Sequence, residues 1–285
     1  MFFKKRNKKN KKLDFSGIIE MLRRNEIILT AEGKPSASDT SKIGGKPLLP
    51  ANFKWPYFNS EEGEKPLSFL CQINLNEAKA YDSENLLPEC GMLYFFYEAE
   101  TQPWGFDPKD TGAFRVYYYE NTEGFALLDL PEELEKDLRP AERALAFEKR
   151  ASYPSFEELE FHTDVDGNAD FEDYDNALEA IGKDAEEDVH KLLGYADIVQ
   201  NEMLTECESV SRGNYCGSPQ ELTTEEEESI SEGAKDWILL LQLSTLEAEE
   251  YELMWGDCGR IYFYIRKEDL KNKNFENTWM ILQCG

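Results

Sequence analysis

The chain has 285 residues, 41 % of them hydrophobic and 13 % aromatic, which is enough apolar material for a sizeable core and too much for a disordered chain. Its formal net charge is -27; seven of the first twelve residues are Lys or Arg, so the remainder carries 24 basic against 58 acidic side chains. A body of that charge repels nucleic acid and anionic membrane and attracts basic partners, although solubility is the plainer use of it.

The opening MFFKKRNKKNKK (1–12) reads as a basic mobile tail. Its apolar residues precede the charges and no apolar run follows, so it lacks the order of a signal peptide. Phe2 and Phe3 give the tail a weak means of touching an anionic membrane; loose pairing with the acidic body is the alternative. Next, LDFSGIIEMLRRNEI places Phe15, Ile18, Ile19 and Leu22 on one helical face, with Asp14 or Ser16 as N-cap. Glu26 to Thr30 then reads as a strand. The stretch 41–58 is loop-like, punctuated by Gly44, Gly45, Pro47, Pro50 and Pro56. Strands follow at 67–75 and 91–98. In the latter, Tyr94 and Phe96 point one way and Phe95 and Tyr97 the other, so both faces must be covered. Further strands are predicted at 114–120 and 125–129.

Between 155 and 190 the character changes, with fourteen acidic residues against one basic, Lys183. Helices are predicted near 171–181 and 184–193, the second anchored by Leu192 and Leu193. Thr223-x-x-Glu226 has the form of a capping box that opens a polar helix. Strands return at 237–243, 260–266 and 278–284. No run reaches the length of a membrane span; the strongest, Trp237 to Leu243, is strand-sized.

Parts of this sequence occur twice. ECGMLYFFY (89–97) matches DCGRIYFYI (257–265), Phe69-Leu-Cys-Gln72 matches Leu239-Leu-Leu-Gln242, and Lys42-Ile-Gly-Gly45 matches Lys191-Leu-Leu-Gly194. Three blocks in one order imply a duplicated unit, one copy within about 26–130 and the other within 186–285, joined by an acidic helical connector at about 150–190. The expected fold is α+β: internally duplicated mixed β-sheet units with flanking helices, in one pseudo-symmetric globule. Residues 13–285 then form a single domain.

The segments KIGGKPLLP with Trp55-Pro56, PLSFLCQINL, LPECGMLYFFY, KLLGYADIVQNEM, DWILLLQLS and WGDCGRIYFYIRKEDL resemble the YwqG-like family, a bacterial domain of unknown function. The resemblance runs from about residue 26 to 285. It implies an α+β fold with internal duplication and carries no catalytic residues over. Ala196 stands where the resemblance leads one to expect a proline after Gly194-Tyr195, which bears only on a turn.

Six cysteines, none in a C-x-x-C pair, read as reduced and buried in a cytoplasmic protein. A short loop closed by Cys207 and Cys216 is the alternative for that pair, and Cys90 and Cys258, equivalent in the two copies, read as structural. The two histidines, His162 and His190, are not tied by spacing to any nucleophile. Gly44-Gly-Lys46 departs from a phosphate loop, since Thr40 holds the first glycine position and Pro47 follows the lysine; it reads as a tight turn. Asp164, Asp166, Asn168, Asp170, Glu172 and Asp175 alternate as calcium ligands would. Ala169 and Asp175 break the pattern where Gly and Glu are required, so this is a weak calcium candidate beside the reading as an acidic loop. Trp55, Gln72, Gly194, Tyr195, Gln242, Trp255, Asp257 and Arg260 are candidates to line a ligand groove between the copies, with structural bonding of the two glutamines as the alternative. No cofactor is implied.

The leading functional expectation is a non-catalytic binding protein whose acidic surface, the 155–190 segment above all, engages a basic protein partner. A toxin-neutralising, immunity-type role is one form of it. A small-molecule binder or enzyme with a cleft between the copies is the competing class, and weak calcium binding a third.

Overall fold

The longest apolar runs of the chain all become strands of one sheet. A computed structural model describes residues 15–60, 63–163, 171–183, 189–219 and 221–285. The described elements are α1 (Phe15–Leu22), β1 (Arg24–Glu32), β2 (Lys42–Ile43), β3 (Leu48–Leu49), β4 (Tyr57–Ser60), β5 (Gly63–Pro66), β6 (Ser68–Asn74), α2 (Leu75–Ala78), β7 (Met92–Tyr97), β8 (Phe114–Tyr119), β9 (Ala126–Leu127), β10 (Arg143–Ser152), α3 (Leu159–His162) and α4 (Phe171–Glu179). They continue with β11 (His190–Leu193), α5 (Leu204–Ser211), α6 (Thr224–Ala234), β12 (Trp237–Leu243), β13 (Leu246–Ala248), β14 (Tyr251–Leu253), β15 (Arg260–Arg266), α7 (Lys267–Lys271) and β16 (Trp279–Gln283).

Ten of these strands form a sheet in the order β16-β15-β12-β11-β1-β10-β2-β6-β7-β8. The fold mixes helix and strand as expected, but every ladder in this sheet is antiparallel, so the sheet itself is not mixed. It curls until its ends face each other. Phe95 on β7 meets Phe263 on β15 with ring centroids 5.2 Å apart, and Phe114 on β8 meets Trp279 on β16 at the same distance. The segment before β8 seals the gap: Leu282 N donates to Trp104 O, and Trp279 Nε1 donates to Gly105 O at 2.8 Å. Gly105 fits there because a Cβ would fall 1.9 Å from Met280 O. The aromatic strands 92–97 and 260–265 are therefore buried on both faces. A satellite cluster of Phe15, Ile19, Leu22, Leu159 and Tyr174 packs α1 against α3 and α4.

Three expectations need correction. The predicted helix over 184–193 is a strand at 190–193, because β11 lies between β1 and β12 and buries Lys191, Leu192 and Leu193 on both of its faces. The loop-like stretch 41–58 contributes β2 to the sheet. The connector expected from residue 150 begins inside β10, a ten-residue strand at the sheet centre. The capping box at Thr223 forms, with Thr223 and Glu226 bonding each other's backbone N–H. All six cysteines are free; Cys71, Cys207 and Cys284 are buried, whereas Cys258 is exposed in a turn at φ 53°.

The two arms of the sheet use the same bonds. Gln72 accepts from Leu48 N and donates to Ser38 O and Thr40 O. Gln242 accepts from Asp197 N and donates to Val189 O and Asp197 Oδ2. Each glutamine faces a buried lysine, Lys42 or Lys191, in the ladder. Lys42 Nζ lies 2.7 Å from Glu142, while Lys191 Nζ lies 3.0 Å from Glu26 and 2.7 Å from Asp197. Burial alone would raise the Asp197 carboxyl, but Lys191 and the Gln242 amide hold it below the usual range.

The pairs differ in burial. Glu142 keeps 43 % of its side chain in solvent, whereas Glu26 keeps 2 %. Removing a lysine therefore leaves a hydrated carboxylate in one arm and dry carboxylates in the other. Lys191→Met should cost about 3–5 kcal/mol, and Lys42→Met about 1 kcal/mol. Urea midpoints of the two variants check this; equal losses would contradict it.

Candidate functional site

The site is built at one end of the central pair, where β1 opposes β10 with Arg24 against Ser152, Asn25 against Ala151 and Glu26 against Arg150. Burial of the Glu26 carboxylate is possible only because Arg150 Nε, at 2.7 Å, and Lys191 Nζ take its two oxygens. Across the same end, Asn25 N donates to Glu84, and Ser83 donates to Asn25 Oδ1, which draws the 83–84 turn against β1.

Between these elements lies a cavity of about 430 Å³. Its walls are Glu20, Arg23, Arg24, Asn25, Ser83, Glu84, Lys149, Arg150 and Ala151. Four cations thus converge on one cleft of a strongly acidic molecule, against two carboxylates, one of which is committed to Asn25 N. Among the described residues, Arg23, Arg24 and Lys149 have no carboxylate partner.

Arg24 is held differently from the others. Its guanidinium lies 4.4 Å from the centroid of the Tyr195 ring. Tyr195 is itself fixed, its hydroxyl donating to Leu22 O and its N–H to Ser152 Oγ. The preceding Gly194 has φ 72°, and a Cβ there would fall 2.8 Å from Glu26 Cβ, so this turn requires glycine. His162 packs against the other side of the arrangement, 5.3 Å from the Tyr195 ring.

Arg24 also borders a second space of about 10 Å³, the room of one water, lined by Glu158, His162, Gly194, Tyr195, Trp237 and Tyr264 among others. Glu158 Oε2, His162 Nε2 and Tyr264 Oη are buried with no hydrogen-bond partner among the described residues. Burial pushes the Glu158 carboxyl up to about 7, with Arg24 opposing the shift. Burial, helped by Arg24 and Lys267, lowers His162 to about 4. A third cavity, of about 450 Å³, lies between α4 and the 196–200 segment, with Phe156, Tyr174, Lys183 and Asp197 on its walls.

Of the eight groove candidates, Gly194 and Tyr195 border this site. Gln72 and Gln242 are fully buried and stand five strands apart in the sheet, each bonded to the chain beside its own strand. Trp55 Nε1 donates to Leu67 O and Trp255 Nε1 to Ser244 O. Asp257 is exposed, and Arg260 donates to Asp197 O. His190, expected on a helix, lies in β11, where its Nδ1 accepts from Ser244 N. Of the calcium candidates, Asp164, Asp166, Asn168 and Asp170 lie outside the described residues, as do the tail 1–12 and Asp14; Glu172 and Asp175 are exposed on α4. No metal-ligating cluster occurs among the described residues, and no described helix is long and apolar enough to cross a membrane. Reading the sequence by motif missed Arg23, Arg24, Lys149, Arg150, Glu158 and Tyr264. The available signal was two adjacent basic doublets, Arg23-Arg24 and Lys149-Arg150, in an acidic chain.

The model of a family described as a domain of unknown function (DUF1963) matches residues 41–284. No curated protein matches the chain.

The buried trio makes a signed prediction about stability. Between its ordinary 4.5 and about 7, folded Glu158 keeps a proton that the unfolded chain has lost, so this group withdraws stability as pH rises through that range. Between about 4 and its ordinary 6.5, folded His162 refuses a proton that the unfolded chain takes up, so its effect runs the opposite way. The two oppose each other where the ranges overlap, and only the Glu158 cost persists at higher pH. Glu158→Gln should therefore gain about 1–3 kcal/mol over the natural chain on going from about pH 5 to about pH 8. Urea unfolding at both values measures it; a difference independent of pH would show that Glu158 is ionised in the folded protein throughout.

Proposed function

The chain belongs to the DUF1963 family, whose description assigns no activity, and we propose that it is a non-catalytic binding protein that holds a small ligand in the cleft at the end of β1 and β10. The observation that carries this reading is the 430 Å³ cavity itself, which is of ligand size and gathers charge opposite in sign to the rest of the molecule. The motifs that resemble the YwqG-like family fit the same picture. Residues 13–285 read as one domain made of two copies of a unit, with β10 and its share of the cleft outside both copies. That reading is supported by the matched Lys42-Gln72-Tyr94 and Lys191-Gln242-Tyr262 ladders and by the bulges at Phe69/Cys71 and Leu239/Leu241. A cytoplasmic setting is supported by six free cysteines.

A second reading, engagement of a basic protein partner as an immunity-type protein would, is favoured by a separate face. The turn holding Glu132, Glu133, Glu135 and Asp137 meets the β13–β14 hairpin, where Tyr251 Oη donates to Asp137 O. Exposed Glu247, Glu249, Glu250 and Glu252 extend the same carboxylate field.

A thermal-shift screen of metabolites on the full chain separates the two. A cleft ligand at a hundred times its Kd should raise Tm by about 4–5 °C. That shift should vanish in Arg23→Glu/Lys149→Glu and survive in Glu247→Lys/Glu250→Lys. No shift with any metabolite, together with salt-sensitive capture of a basic protein that the hairpin variant abolishes, would transfer the function to the acidic face.

A further inference from the structure

We infer that the cleft recognises a hydroxylated phosphomonoester, a ligand of the sugar-phosphate class; this rests on the cleft reading above and names its ligand. The charge comes first. Arg23, Arg24 and Lys149 face the cleft without a carboxylate partner among the described residues, beside Arg150, whose Nε is committed to Glu26. A monoanion would be outnumbered there; a phosphate dianion with three terminal oxygens matches several donors at once. Guanidinium groups suit it further because their N–H edges fork onto two oxygens, and stacking on Tyr195 fixes the plane of the Arg24 fork before any ligand arrives.

The remaining walls decide what carries the phosphate. Among the described residues, no aromatic side chain lines the cleft, and Ala151 is its one apolar residue. A nucleobase would find nothing to stack on, and a lipid chain nothing to bury against. What the cleft offers instead is the Glu20 carboxylate, the Glu84 oxygen that Asn25 N leaves free and Ser83 Oγ, all of which accept from hydroxyls. A volume of about 430 Å³ holds one small polar molecule of this kind. The charges around the cleft argue the same way: with 58 acidic residues in the chain, an anion is repelled from much of the surface, and among the described residues four cations at one place favour it in the cleft.

The test is calorimetric titration of the full chain with three probes: a hexose 6-phosphate, the unphosphorylated hexose and the corresponding hexuronic acid. The hexose phosphate should bind, and more weakly as salt rises; the neutral hexose should not bind, and the monoanionic acid should bind at least about tenfold more weakly. Arg23→Gln and Lys149→Gln, both at exposed positions, should each weaken the hexose phosphate about tenfold, whereas Lys136→Gln on the acidic face should leave it unchanged. Hydrogen exchange should report new protection at 23–25 and 149–151. Binding of the uronic acid or the neutral hexose as tight as that of the phosphate, and lost in Arg23→Gln, would overturn the ligand class and leave the cleft standing. Binding untouched by both cleft variants would overturn the cleft itself. Failure of all three probes at millimolar concentration would overturn the proposal, and the metabolite screen would then decide whether the cleft has another ligand.

Discussion

A carboxylate buried in the middle of the sheet cannot remain there alone, and Glu26 organises its surroundings for that reason. Its two oxygens take Lys191 from β11 and Arg150 from β10, so one side chain ties three adjacent strands together. A side chain at residue 194 would place its Cβ 2.8 Å from the Glu26 Cβ, which requires glycine in that turn. The Gly194 turn in turn delivers Tyr195 to a position beneath Arg24. The cleft is thus organised by one residue: the Glu26 charge fixes Lys191 and Arg150, and the Glu26 Cβ, with the Ser152 side chain, requires the glycine of the turn that delivers Tyr195.

Arg24 stands between two environments of opposite character. On one side is an open cleft rich in cations, on the other a small buried pocket with a carboxyl, an imidazole and a phenol that find no hydrogen-bond partner among the described residues. Its positive charge lowers Glu158 toward ionisation and at the same time disfavours a proton on His162. A buried carboxyl that is half-ionised near neutrality is therefore coupled to whatever charge sits in the cleft, because both draw on the same guanidinium. Such a pocket costs stability, since one water is the most it can accommodate. That cost falls beside the cleft, whereas the buried Gln72, Gln242, Lys42 and Lys191 all have hydrogen-bond or ion-pair partners.

The strands were legible wherever apolar side chains use both faces, as in Met92 to Tyr97 and Trp237 to Leu243. They were illegible wherever charge is buried by pairing. Lys191 inside β11 reads as a break in an apolar run, and Arg143, Glu148, Lys149 and Arg150 make β10 look like surface, although it is central to the sheet. The repeated ECG and DCG turns point to the two aromatic strands but not to the central pair, because RNEIILTAE and RALAFEKRAS share no motif. The glutamines, Gln72 and Gln242, looked like ligand contacts because all but one of their partners, the Asp197 carboxylate, are backbone groups, which no side-chain pattern displays. The cleft was hidden for a related reason. Its cations come in doublets 125 residues apart, and only the β1–β10 register brings residues 24–25 opposite 151–152.

That register also limits what family membership carries. The matched span, 41–284, contains β10 with Lys149 and Arg150, but β1 and its Arg23-Arg24 doublet precede it. β1 is not an accessory at the sheet margin; it lies between β10 and β11 and joins the two arms. Half of the cleft's positive charge, the stacked arginine included, therefore belongs to β1 and the residue before it, outside the match. The acidic face, by contrast, is built wholly from residues within it, Glu132 to Asp137 and Glu247 to Glu252. The two functional readings thus divide along the chain as well as on the surface: one draws only on the matched residues, and the other needs the strand that precedes them.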